Sequence, residues 1–372
     1  MKIRIQGLDI LRFFAAVSVV LYHYFFIGPL QGYWPQNQLF PITHFGDFGV
    51  DVFFVISGFV ISVSAEGRSF SHFAKSRFVR IMPALLVCSL ITAGTASLLP
   101  GVSVKDVFVR WITSLTLFPQ LFGQELLTTV YWTLQIEVKF YILVTILIIF
   151  KVWERKKNII IPVWLVISLC NQFFFNYKFL SDYLLTEFSG HFIAGILLYQ
   201  IRKKESTSFT SLGLILSSIL IWKHLSNFES WISGAYNYGF SDLGTLLFAP
   251  TIISIVYWVS YHDKISLPSK LVTALGSMSY TLYLLHADLG FFVRAFSDRY
   301  LFQKYPALQQ VFTDPVIVII AIIASLALSA LVALVIEPRL KTPLQFLLRH
   351  GQYDSKSKAF RHSALSKGIP NE

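Results

Sequence analysis

The chain has 372 residues, of which 55% are hydrophobic and 14% charged, with a mean hydropathy of +0.61. Soluble domains carry about 25% charged residues, so this composition excludes an ordinary soluble globular protein and points to a polytopic membrane protein. The formal net charge is +11, yet most Lys and Arg lie in short loops and the C-terminal tail, which argues against nucleic acid as a partner.

In chain order, ten apolar segments approach the length that spans a bilayer. They are 8–27, 47–64, 81–99, 132–151, 158–175, 186–201, 210–222, 244–261, 271–293 and 315–336. The segment at 210–222 is the shortest. The stretch 107–122 is apolar but interrupted by Arg110 and Pro119, so it is expected to be interfacial or re-entrant. With the N-terminus cytoplasmic, 22 of the 31 Lys and Arg fall on the inner side and 7 on the outer, with Arg12 and Lys139 inside spans. That bias predicts an all-α integral membrane bundle of about ten transmembrane helices with both termini cytoplasmic. No cleavable signal peptide is expected, because Asp9 and Arg12 interrupt the first apolar run. Residues 1–340 form the membrane domain; 341–372 form a basic cytoplasmic tail, expected to be disordered and to touch anionic lipid. Cys88 and Cys170 lie in apolar segments and are expected to be packing residues.

Ionisable residues inside spans are costly and mark function by default. In the first span, Arg12 and His23 are eleven steps apart, so both lie on one helical stripe about 16 Å apart along its axis. Asp9 is placed to pair with Arg12. Imidazole is the side chain best suited to accept a proton near neutral pH. In the second span, Asp47 and Asp51 share a face, and Asp51 needs a partner within the bundle, with Arg12 a candidate. Gly46, Gly49 and Gly58 would allow close helix approach, and Ser57 is expected to satisfy a backbone carbonyl.

Arg77 and Arg80, at i and i+3, share a face at the cytoplasmic entry to the third span. They read either as a positive-inside anchor or as a clamp for phosphates. In the fourth span, Glu137 and Lys139 point to different faces, and Glu137 shares its face with Tyr141. Glu137 could carry a proton, balance a charge or orient a histidine. In the ninth span, Ser279, Tyr283 and His286 form a polar stripe, with His286 in the same outer half as His23. His44 and His191 are expected to be structural, and Glu337 to pair with a basic loop.

Five blocks, in order, resemble the acyltransferase family 3 membrane enzymes that modify bacterial surface sugars. The first is Leu8, Asp9, Leu11, Arg12, Ala15, Val19 and His23; the second is GVDVFFVISGFVIS. The third is Arg77, Arg80, Ile81 and Pro83; the fourth Trp132, Leu134 and Glu137; the fifth Ser279, Tyr280, Tyr283, Leu284 and His286. The resemblance implies transfer of an acyl group, usually acetyl from acetyl-CoA, to a sugar hydroxyl of a cell-envelope glycan such as O-antigen or exopolysaccharide. It implies essential roles for His23 and Arg12 and a donor site at Arg77 and Arg80. From the residues themselves, His23 would act as general base on the acceptor or accept the acyl group briefly itself, while Asp9, Asp51 or Glu137 could orient it or balance the charges. Asp51, Trp132, Tyr283 and His286 are expected on the substrate side. No metal is expected. The partners implied are the lipid bilayer of the bacterial cytoplasmic (inner) membrane, a glycan or lipid-linked saccharide, and other polysaccharide-assembly proteins. A proton-coupled carrier or exporter of an acylated precursor is the rival reading, since intramembrane Asp, Arg, Glu and His also suit a transporter.

Overall fold

The structure is a computed structural model that describes residues 5–99, 101–239, 242–262, 266–346 and 348. Among the described residues there is no strand, and eight helices are long and apolar enough to cross a membrane. They are α1 (Gln6–Leu30), α2 (Pro41–Ala65), α3 (Phe70–Ser97), α5 (Thr129–Ile149), α6 (Val152–Phe175), α8 (Ser208–Tyr236), α9 (Leu243–Tyr261) and α11 (Asp314–Phe346). Between them lie a surface helix, α4 (Val104–Ser114), and two buried helices, α7 (Ser189–Arg202) and α10 (Ser269–Phe296).

The two central helices are the less apolar or shorter ones because protein, not lipid, surrounds them. α7 has 14 residues, about 21 Å of helix against a hydrocarbon core of about 30 Å. Every residue from Ser189 to Gln200 is buried. It runs parallel to α2, with Asp51 opposite His191 and Glu66 opposite Tyr199. A Cβ on Gly58 would stand 2.2 Å from Phe192 O, and one on Gly195 would stand 2.1 Å from Val55 O. Only glycine lets these backbones meet so closely. α10 runs parallel to α1, with Gly276 against Asp9 and Gly290 against Tyr24. Tyr24 OH donates to His286 O at 2.6 Å, and Thr281 Oγ1 to Ser329 O at 3.1 Å on α11. Gly46 and Gly49 also meet the α1 backbone at Ser18 O and Ala15 O, as the sequence suggested.

Several boundaries differ from expectation. The segment expected to end at Trp222 is part of α8, a helix of 29 residues. Hydropathy drops after Trp222, but the polar residues that follow are paired inside the protein: His224 with Glu187, and Glu229 with His44. No proline interrupts the helix, and a Thr207–Thr210 capping box starts it. α3 begins at Phe70, eleven residues before the expected start, so Arg77 and Arg80 stand on a formed helix. Pro83 within it lacks the N–H that would bond back to Val79 O. As expected, the 107–122 stretch is not a span: α4 is short and capped by Ser103, and the chain folds back so that Leu127 N donates to Ser114 Oγ at 2.8 Å. α11 continues to Phe346, past the expected start of the tail at 341, with Lys341 paired to Glu337 one turn earlier. Most of the expected tail, 349–372, lies outside the described residues.

Candidate active site

α1, α2, α3, α5 and α10 surround a cavity of about 80 Å³ lined by Arg12, Ser57, Arg77, Arg80, Thr133, Glu137, Tyr141, Ser279, Tyr280 and Tyr283 among apolar residues. That space holds several waters or a thin chain. Arg77 and Arg80 reach it because a spacing of three puts them on one side of α3. Arg80 is exposed at its mouth and Arg77 half-buried. The Arg77 guanidinium sits 5.7 Å from the Tyr141 ring and 5.9 Å from Phe73, and its Nε donates to Ser76 Oγ at 3.3 Å. Neither arginine makes an ion pair among the described residues.

Arg12 is 14% exposed and stands 3.8 Å from Asp9 Oδ1, the pairing expected from the sequence. Glu137 is the acidic residue on the cavity wall. Its Oε1 accepts from Ser57 Oγ at 3.1 Å and from the Tyr141 hydroxyl. Ser57 therefore bonds a carboxylate, not the backbone carbonyl expected of it. Three guanidiniums facing one carboxylate give the cavity an excess of positive charge, suited to an anion.

His23 is not on the cavity wall. Tyr283 and His286 stand between the cavity and His23. Tyr283 lines the cavity, its ring is 5.7 Å from His286, and His286 is 4.7 Å from His23. Thr133 Oγ1 donates to the Tyr283 hydroxyl at 2.9 Å. His286 Nε2 lies 3.2 Å from His23 Nδ1. α1 widens into a π-helical turn at His23–Ile27, a local irregularity often found at functional sites.

Two expected substrate residues stand elsewhere. Asp51 does not pair with Arg12. It is 2% exposed and accepts from His191 Nε2 at 2.7 Å, with His224 Nε2 at 3.7 Å. α2 and α7 pack so closely that Asp51 and His191 meet directly across their interface. Trp132 is 38% exposed, outside the cavity, packed against Phe54 and Phe188. The link from Asp51 through His224 to Glu187, 3.2 Å from His224 Nδ1, was not legible from residue spacing. His224 lies beyond the apolar stretch that marked its span. The buried His44–Glu229 pair, at 2.5 Å, was likewise hidden. Lys139 is half-buried on α5 and has no ion pair among the described residues.

Comparison with known proteins places the chain in one family. The family described as Acyltransferase domain matches residues 5–334. The O-acetyltransferase OatA of Staphylococcus aureus is 28% identical over 333 residues, 78% of this chain and 51% of that protein. Nodulation protein 10 of Rhizobium leguminosarum bv. viciae is 30% identical over 176 residues, 41% of this chain and 46% of its own. Acyltransferase MdmB of Streptomyces mycarofaciens is 33% identical over 170 residues, 41% of this chain and 40% of its own. The chain thus spans about half or less of each of these relatives. No solved structure matches it significantly. The family match gives the carrier reading no support. Five sequence blocks meet around one cationic cavity and its adjoining histidine pair, the match runs through nearly the whole membrane bundle, and the chain belongs to the acyltransferase 3 family.

Proposed function

We propose that this protein is a membrane O-acetyltransferase that moves an acyl group, acetyl in the simplest case, from acyl-CoA to a sugar hydroxyl of a cell-envelope glycan. The observation that carries the reading is one helix, α1, with a guanidinium in a cationic cavity at one end and an imidazole at the other. The relatives described as acyltransferases, one of them an O-acetyltransferase, agree with it.

With both termini cytoplasmic and ten spans, as the Lys and Arg bias favours, the cavity mouth at Arg77 and Arg80 opens toward the cytosol. Paired guanidinium forks suit the phosphates of a CoA donor. The thioester arm enters between Arg12 and Glu137. At about 80 Å³ the cavity is narrow, so Tyr283 is the side chain that moves to let the thioester approach His23. His23 takes the hydroxyl proton of the acceptor, the oxygen attacks the acyl carbon, and the carbon–sulfur bond breaks. Arg12 balances Asp9 and Glu137 and steers the donor's negative charge. A cytosolic donor thereby serves an acceptor in the outer half of the cytoplasmic membrane, with a lipid-linked saccharide the acceptor chemistry that suits such a position.

Purified protein in detergent and in sealed proteoliposomes, given radiolabelled acetyl-CoA and candidate saccharides, provides the test. Label appearing in an ester on sugar, and absent with His23→Ala at equal expression, is the expected result. Full transfer by His23→Ala, or uptake of label into vesicles without ester formation, overturns the reading.

A further inference from the structure

The His23–His286 pair carries more than proximity, because the neighbours of each ring define where its proton sits. His286 is fully buried. Its Nδ1 lies 2.8 Å from Tyr283 O and 3.1 Å from Leu282 O. Carbonyl oxygens only accept, so this nitrogen carries the proton. In the neutral ring, Nε2 is then a bare acceptor, and it faces His23 Nδ1 at 3.2 Å. His23 Nδ1 also lies 3.0 Å from Val19 O. Two acceptors, a carbonyl and a bare imidazole nitrogen, converge on one atom. Only a proton on His23 Nδ1 satisfies both. The lone pair of His23 is thereby placed on Nε2, which has no hydrogen-bond partner among the described residues.

We propose that His286 is a positioning residue that holds His23 in its Nδ1-protonated tautomer, so that His23 Nε2 is the atom that takes the acceptor's proton. This rests on the reading of His23 as the base. The hydroxyl proton passes to Nε2 as the oxygen–acyl bond forms. The carbon–sulfur bond breaks with its electron pair going to sulfur, and the thiolate then takes the proton from Nε2. While His23 is doubly protonated, its Nδ1–H bond to His286 is charge-assisted and therefore stronger than in the ground state, which is the condition for an interaction to raise turnover and not merely binding. The arrangement parallels the second partner that fixes the tautomer of many functional histidines, with a neutral imidazole in place of a carboxylate. A carboxylate there would be an additional buried charge.

Two substitutions separate the roles of the two ring nitrogens. His286→Asn keeps an N–H near the position of Nδ1 for the Tyr283 carbonyl but offers nothing to His23. His286→Gln sets an amide oxygen near the position of Nε2. In purified protein, His286→Asn is expected to lower kcat about tenfold or more with the donor KM changed less than about threefold, and His286→Gln to recover part of the loss. Nitrogen-15 NMR of histidine-labelled protein supplies a readout independent of turnover: His23 shows a protonated Nδ1 in the unaltered protein and a mixture of tautomers in His286→Asn. Wild-type kcat in His286→Asn, or an Nε2-protonated His23 in the unaltered protein, overturns the inference. Should His286→Asn fail to fold, the His286→Gln kinetics and the unaltered protein's spectrum decide it. Activity of His23→Ala would instead remove the base reading and leave the tautomer result standing.

Discussion

Arg77 and Arg80 illustrate how far two side chains in one turn of helix can be read. They share a face of α3 and border the cavity, and neither is neutralised by a carboxylate among the described residues. Arg77→Ala combined with Arg80→Ala is expected to weaken acetyl-CoA binding at least tenfold, about 1.4 kcal/mol or more, as measured by calorimetry on purified protein. Binding unchanged by the pair would reduce them to membrane anchors. Asp51 behaves differently. Its carboxylate is consumed by His191, so its loss should appear as instability. Asp51→Ala leaves a buried imidazole nitrogen without its partner, a cost of about 1–3 kcal/mol, and should lower the melting temperature in detergent. Asp51→Asn keeps an acceptor and should retain much of it. If both melt like the unaltered protein, the α2–α7 pair is not structural.

At the scale of helices, contact between backbones sets the architecture. Gly195→Ala would place a methyl group 2.1 Å from Val55 O, and α2 and α7 would have to part. Overpacking of this kind costs about 1–3 kcal/mol or more, and a lower melting temperature with reduced yield is expected. Gly94→Ala on α3 meets nothing within 4 Å, so it should be neutral or stabilising by up to about 1 kcal/mol. Equal behaviour of the two variants would mean that glycine at α2–α7 is incidental. The same scale explains why α8 was misjudged. Its second half carries Lys223, His224, Asn227 and Glu229, residues that end an apolar run when judged alone. In the fold, His224 and Glu229 are satisfied by Glu187 and His44, so the helix has no reason to stop.

For the whole molecule, the arrangement of helices is the testable statement. With ten spans and cytoplasmic termini, a cysteine placed at Lys204 should be labelled by an impermeant thiol reagent only from the cytoplasmic side. One placed at Lys178 should be labelled only from the outer side. Labelling of both from the same side would exclude the topology. The parallel courses of α1 with α10 and of α2 with α7 are what this alternation requires, since an odd number of crossings, seven and three, lies between the members of each pair.

Much of the site was legible because it depends on local spacing. Arg12 with Asp9, Arg77 with Arg80, and Glu137 with Tyr141 are neighbours on single helices, and helical periodicity alone brings them together. Low charge likewise marked the chain as a membrane protein, and its apolar runs of about twenty residues marked the spans as helices, since a transmembrane strand needs only about 9–11 residues. Only the tertiary structure decided which helix meets which. It drew Asp51 to His191 and not to Arg12, left Trp132 outside the cavity, and set His286 between Tyr283 and His23. Those pairings join residues 140 and 263 positions apart. No local periodicity encodes them, because they follow from where small residues let two backbones touch.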